Sequence, residues 1–239
     1  MTSPVEVQRF HPASLVGREH TGGGLTLVRV DPGAQVAAGY VSPGQYVEVR
    51  AGGETGYFVL ANEPGSTTWD LIMRHGGGAS DVLLAVAPGA DVEVTAPIGE
   101  GFPMESARGR PLVVVLGGTG VAAARPVVRR RMADGDATRT EVLIGVRTMS
   151  EVSLTQDLDA WSESGVGVTV CLSQENQRGD SPRYAPGYVQ DVLRWLAARN
   201  RRPVRGALLF AVGTDSMVEA LRDLAPSLGI RREDVLTNH

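Results

Sequence analysis

The sequence predicts two linked units, an antiparallel β-barrel over residues 1–106 and a parallel α/β domain over residues 107–239. Three observations carry this. Glycine and proline turns separate short apolar stretches through the first part of the chain, the rhythm of a small all-β unit. Beyond about residue 106, continuous apolar runs alternate with stretches of helical periodicity, as strands covered on both faces of a parallel sheet do. One of those runs passes through a glycine-rich loop directly into a helix.

In chain order, barrel strands are expected at Leu25–Val30, Tyr46–Arg50, Tyr57–Ala61, Trp69–Met73 and Val92–Thr95. Turns at Asp31-Pro32-Gly33, Ser42-Pro43-Gly44, Ala51-Gly52-Gly53, Glu63-Pro64-Gly65 and Ala87-Pro88-Gly89 punctuate them. The stretch Ala79–Val86 follows three glycines and carries Val82, Leu83, Leu84 and Val86, which predicts a short helix crossing the barrel. Met104–Pro111 is polar and basic without periodicity and reads as the linker. The second unit reads as strand Pro111–Leu116, helix Val121–Met132, strand Glu141–Val146, helix Val152–Trp161, strand Val166–Leu172, helix Val189–Ala198, strand Ala207–Val212 and helix Ser216–Leu224.

Composition removes several kinds of chemistry. All 23 basic residues are arginine. The absence of lysine excludes a lysine Schiff base and a P-loop. A net charge of -4 argues against nucleic acid as a partner. The single cysteine, Cys171, excludes a disulfide framework, a cysteine-ligated iron–sulfur cluster and a zinc ribbon, and its apolar strand makes it a core thiol. His11, His20, His75 and His239 lack metal-ligand spacing. The N-terminus has no apolar leader and no run is long enough to span a bilayer, so a cytoplasmic protein with no membrane partner is expected. Trp69, Trp161 and Trp195 fit core faces. Arg129–Arg131 and Arg199–Arg205 read as solvated faces, with docking of an acidic electron carrier as the alternative.

Three glycine turns carry the functional reading. Gly117-Gly118-Thr119-Gly120-Val121 lies between a buried strand and a helix. There a glycine backbone admits a phosphate and the helix N-terminus offers unpaired N–H groups. A tight turn without a ligand is the other reading. Val212-Gly213-Thr214-Asp215-Ser216-Met217 repeats the strand–glycine–helix arrangement, and Thr214, Asp215 or Ser216 would cap the helix in any case. In the barrel, His75-Gly76-Gly77-Gly78-Ala79-Ser80 opens the inserted helix. Phosphate-suited turns in both units suggest two nucleotides meeting between them.

Taken together, these segments resemble the ferredoxin–NADP reductase-like flavoproteins over nearly the whole chain. Tyr40–Val47 resembles that family's Pro-Gly-Gln-aromatic strand, and Gly56–Pro64 its flavin-contacting strand. Val94–Phe102 resembles the closing strand, Leu116–Arg125 the Gly-Gly-Thr-Gly-Ile-Ala-Pro-x-Arg loop, and Gly145–Thr148 the Gly-x-Arg strand end. Gly187–Gln190 and Gly213–Met217 resemble the last motifs, and together with Leu172-Ser173-Gln174 and the ending Val235–His239 they point to a less studied branch. The chain departs from the pattern where the family's flavin strand reads Arg-x-Tyr-Ser: it has Gly56, Phe58 and Val59. Val212 replaces a cysteine and Ala123 a proline.

The resemblance implies FAD (or FMN) in the barrel and NAD(P)H in the α/β domain. Phe58 would stack on the flavin, with Val59, Leu60, Ala61, Asn62 and Met73 around it. Phosphate contacts would fall on Gly77, Gly78, Ala79 and Ser80, helped by Arg74. The nicotinamide nucleotide would meet Gly118, Thr119, Gly120, Val121, Arg147, Gly213, Asp215 and Met217, with a surface ion pair as the other reading of Arg147. Ser173 and Arg178 could hold a 2′-phosphate and Glu175 would repel one, so NAD and NADP both stay open. His239 would fold over the flavin, a frayed end being the alternative. No catalytic acid–base residue is expected, because the flavin carries the chemistry. The activity implied is hydride transfer between NAD(P)H and flavin, with electrons leaving to a separate acceptor. A non-catalytic electron-transfer subunit or binding module, and a dehydrogenase without flavin, are the alternatives.

Overall fold

The computed structural model describes residues 9–175, 183–199 and 204–238. The first unit comprises β1 (Phe10–Gly22), β2 (Leu25–Asp31), α1 (Ala34–Ala37), β3 (Tyr46–Ala51), β4 (Glu54–Val59), β5 (Trp69–Met73), α2 (Ala79–Ala85) and β6 (Asp91–Thr95). The strands pair antiparallel in the order β4-β3-β6-β1-β2-β5. A bridge between Leu60 and Leu71 joins the two ends, so the sheet closes and leaves no long free edge. Alternation along β3 sends Val47, Val49 and Ala51 inward to meet Leu15, Val28, Val30, Trp69 and Leu71. Leu83 of α2 is fully buried in the same core. Arg18 donates to the carbonyls of Leu84 and Val86, which closes the C-terminal end of α2.

α3 (Met104–Ala107) spans the passage from the first unit to the second, whose first strand is β7 (Leu112–Gly117). The second unit continues with α4 (Ala124–Ala133), β8 (Thr140–Val146), α5 (Thr155–Glu163), β9 (Gly167–Leu172), β10 (Tyr184–Pro186), α6 (Val189–Ala198), β11 (Leu208–Val212), α7 (Asp215–Leu224) and β12 (Val235–Thr237). The order is β10-β9-β8-β7-β11-β12, parallel throughout. Residues of β7 alternate between two buried faces. Leu112, Val114 and Leu116 pack with Val127 of α4 and Leu158 of α5, whereas Val113 and Val115 pack with Leu193 of α6 and Leu221 of α7. No helix among the described residues is long and apolar enough to cross a membrane.

Met104–Pro111, read as the linker, is anchored at two points: Met104 and Ala107 are buried, and just before them Phe102 stacks on Phe210 at 4.3 Å between ring centroids. A single core therefore runs from Leu25, Leu27, Ala61 and Ile72 of the barrel into the face of the parallel sheet carrying α4 and α5. One expectation needs correction: Arg129 and Arg130 are partly exposed, but Arg131 is not on a solvated face. Arg131 is fully buried and bonds Asp136 at 3.0 Å, the Thr140 hydroxyl at 2.9 Å and the Arg110 carbonyl at 2.7 Å. Arg129 pairs with Glu63 of the barrel at 2.7 Å, and Arg130 with Asp134 at 2.9 Å. Arginine stems lie along apolar surface while their heads find carboxylates, which is how a basic run ends up inside a contact.

A charged chain ties the units together. Asp70 of β5 accepts from Arg29 at 2.7 Å and lies 3.4 Å from Arg125 of α4, which reaches Asp157 of α5 at 3.2 Å. The β1–β2 hairpin also crosses over. Gly22 bridges Ser153, and the Leu154 N–H donates to the Thr21 carbonyl at 2.7 Å. Leu154 holds a left-handed φ of 55° at this contact, uncommon for a branched side chain.

Candidate functional site

The first glycine turn leaves the C-terminal end of β7, where register sets Gly117 beside Gly145 of β8 and Leu116 beside Val212 of β11. The expected α-helix from Val121 is preceded by a tighter 3₁₀ turn over Gly118–Ala123, and α4 starts at Ala124. Glycine is required at Gly120, where a Cβ would stand 2.6 Å from the Val212 carbonyl oxygen. The second turn leaves β11. Thr214, one of the three residues suited to cap α7, does so: its Oγ1 accepts from the Met217 N–H at 3.3 Å. The Met217 side chain lies across Gly117 and Gly213, between the two turns.

A cavity of about 470 Å³ opens from these turns along the ends of β8 and β9. Gly118, Val121, Arg147, Ser173, Thr214 and Met217 line it. Arg147 is gripped by Glu151, whose Oε1 accepts from Nε at 2.6 Å and whose Oε2 accepts from the Arg147 backbone N–H at 2.9 Å. Those bonds hold the Glu151 carboxyl below the usual carboxylate range. Cys171 contributes to the wall, and burial pushes its thiol well up, so it stays a neutral, unreactive group.

A second cavity, of about 590 Å³, lies between the barrel and the parallel sheet. Phe58, Val59, Ile72, Met73 and Arg74 form its barrel wall, and Gly118, Thr119, Gly120 and Gly213 the opposite one. It shares Arg74, Gly117, Gly118, Thr214 and Met217 with the first, so the two make one continuous cleft. A larger hollow of about 990 Å³ opens between the Val41–Pro43 loop, α4 and the C-terminal strand, and it touches none of the three glycine turns.

The barrel wall suits a flat apolar ring with an anionic tail. Phe58 supplies the ring face. A Cβ on Gly56 would lie 3.1 Å from the Phe58 ring, so the phenyl group fills the root of the side chain that the resemblance leads one to expect at Gly56. Arg74 is exposed at the junction of the cavities, and its guanidinium comes within 2.8 Å of a Cβ built on Gly118. The residues present therefore fit a flavin, with cationic character supplied from Arg74 in place of Gly56.

Other expected residues sit elsewhere. Leu60 is buried in the barrel core and Ala61 in the shared core, and their N–H groups donate to the carbonyls of Gln45 and Asp70. Asn62 is buried and holds its own loop, donating to the Thr68 carbonyl at 2.6 Å and accepting from the Asp70 N–H at 3.0 Å. None of these three lines the cleft. In the third glycine turn, Asp81 accepts from Gly76 N–H at 3.1 Å and Gly77 N–H at 2.9 Å and contacts His75 at 3.0 Å. An internal carboxylate thus takes part of the anion-binding backbone. Ser80 reaches the cavity, whereas Gly77, Gly78 and Ala79 do not line it. Asp215 is exposed on the first turn of α7 and lines neither cavity. Arg178 and His239 lie outside the described residues. Glu151, Tyr188 and Gln190 line the first cavity unforeseen. The Gly187–Gln190 motif was the available signal for the last two.

Residues 114–223 match the family described as the oxidoreductase NAD-binding domain. Across 98% of its length the chain is 25% identical to fruit protein pKIWI502 of Actinidia deliciosa, covering 76% of that protein. It is 28% identical to ferredoxin–NADP reductase B of Sorangium cellulosum, over 80% of this chain and 82% of the relative. Among solved structures, the flavohem-like FAD/NAD-binding domain of nitric oxide dioxygenase from Vibrio cholerae superposes with a TM-score of 0.79, covering 95% of this chain and 97% of that one at 17% identity.

Proposed function

We infer that this chain, which has the two-domain fold of the ferredoxin–NADP reductase-like flavoproteins, is a flavin-dependent oxidoreductase carrying electrons from NAD(P)H to a separate acceptor. We assign residues 1–106 to the flavin and residues 107–239 to the nicotinamide nucleotide. The observation that carries the reading is the continuous cleft. A ring-lined cavity on the barrel and a glycine-turn cavity on the parallel sheet share one seam at Arg74, Gly117, Gly118, Thr214 and Met217. Two nucleotides that must touch at their reactive ends need such a seam.

Flavin supplies the redox chemistry when bound. The chain's own residues bind and orient. Phe58 and Val59 present an apolar floor, and Arg74, which lines both cavities, would offer its positive charge to a nucleotide phosphate. Gly118–Val121 offer the backbone N–H groups of a helix-opening turn to a pyrophosphate. Met217 lies across the seam between Gly117 and Gly213. The acceptor is a redox protein or small molecule distinct from this chain.

The test is the visible spectrum of purified protein loaded with FAD, recorded before and after anaerobic addition of NADH or NADPH. Flavin binding followed by bleaching within seconds is the expected result. Binding without bleaching would favour an electron-transfer subunit that awaits its partner. Failure to retain either FAD or FMN would overturn the reading.

A further inference from the structure

We propose that the dinucleotide half of the cleft selects NADH over NADPH, through the Arg147–Glu151 pair and Glu175. This rests on the nucleotide reading above and deepens it. A dinucleotide lies across the carboxyl ends of parallel strands, its pyrophosphate at the first glycine turn. Its adenosine ribose then falls one or two strands away, each step about 4.8 Å. On the side where the cavity runs, those strands are β8 and β9, which end at Val146 and Leu172. An acidic side chain at such a place accepts from a ribose 2′-hydroxyl, and an arginine there accommodates a 2′-phosphate. Both residue types stand here, and the structure shows how they are arranged.

Arg147 is already paired with a carboxylate. Its Nε donates to Glu151 at 2.6 Å, its terminal amine meets the same carboxylate, and its backbone N–H donates to the other oxygen at 2.9 Å. Glu175 stands beside this pair, its Oε1 accepting from the Met149 N–H at 2.7 Å. Among the described residues the Arg147 charge is matched by Glu151, on which Arg74 also acts, and Glu175 adds a further carboxylate. A 2′-phosphate adds about two negative charges at neutral pH, by analogy with a phosphorylated side chain. It would have to displace Glu151 from Arg147 and still face Glu175. A 2′-hydroxyl needs only a carboxylate to accept from it. The main chain of the Glu151 turn is backed by the β1–β2 hairpin, where a Cβ on Gly23 would stand 2.3 Å from the Glu151 carbonyl oxygen. Releasing Arg147 therefore falls to the Glu151 side chain alone. Among the described residues, the other arginine lining the cavity is Arg74, at the glycine-turn end.

The test is calorimetric titration of the purified protein with NAD⁺ and with NADP⁺, which reads binding without any redox turnover. NAD⁺ is expected to bind about tenfold tighter, the size of one charge-assisted contact. Glu175→Gln keeps the acceptor for Met149 and removes the charge, and it is expected to raise NADP⁺ affinity about tenfold by the same reasoning. Equal or tighter binding of NADP⁺ by the unaltered chain would overturn the selectivity while leaving the nucleotide site standing. Binding of neither would overturn both.

Discussion

Arg74 is the side chain on which the two cavities converge, and its position answers the loss of positive charge at Gly56. We predict that Arg74→Ala weakens flavin binding about tenfold, one hydrogen bond to a charged group, measured by quenching of flavin fluorescence on titration. The departures at Gly56, Phe58 and Val59 were legible in the sequence. That the Phe58 ring fills the space above Gly56 was not, because it depends on a side-chain torsion and not on spacing. Asn62 is a related case: its amide bonds the Thr68 carbonyl and the Asp70 N–H, which no spacing in the sequence reveals. Glu151 went unread although it lies four residues from Arg147, because that spacing signals an ion pair only inside a helix, and here the chain makes a tight turn.

Among the elements, those with a strong period were the ones the sequence revealed. α6 runs over the expected Val189–Ala198, and β5 over Trp69–Met73. The first strand escaped notice. Its 13 residues include Pro12, Arg18, Glu19 and His20, and two register shifts break the alternation on which strand recognition depends. The three-residue strands β10 and β12 are too short to show any period and exist because a neighbour supplies their partners. The glycine turn before α2 was located correctly, but its internal carboxylate was not foreseen. The Gly76 N–H, then His75 and the Gly77 N–H, hold Asp81 below the usual carboxylate range. With a folded value below the unfolded one, its contribution is present above the unfolded value and is lost as pH falls through the folded one. We predict that the Gly76 and Gly77 amides stay protected from hydrogen exchange down to the ordinary carboxylate range and lose protection below it. Asp81→Asn should remove that pH dependence.

At the scale of the whole molecule, the two-unit architecture was legible and the intimacy of the units was not. Segment patterning reports which residues are buried, and gives no indication that Leu25, Ile72 and Phe102 are buried against the other unit. The same holds for Asp70, Arg125 and Asp157, whose link exists only once both units have folded. We predict that Arg125→Ala lowers the unfolding free energy by about 2 kcal/mol in a denaturant titration. This falls short of the ~3–5 kcal/mol for a fully stranded buried charge, because Arg29 still pairs with Asp70.

The stacked rings of Phe102 and Phe210 carry one more consequence. They anchor the chain at the crossing from one unit to the other, so covalent continuity there is not what keeps the halves together. A single cut by a protease near Gly109, where the chain is exposed, should leave two fragments that co-migrate in gel filtration and separate only in denaturant. Intact or nicked, the protein should melt in one calorimetric transition, because neither half can present its share of the apolar core to water and stay folded. Separated fragments would then have to find each other again before either regained its shape, and their refolding would depend on concentration.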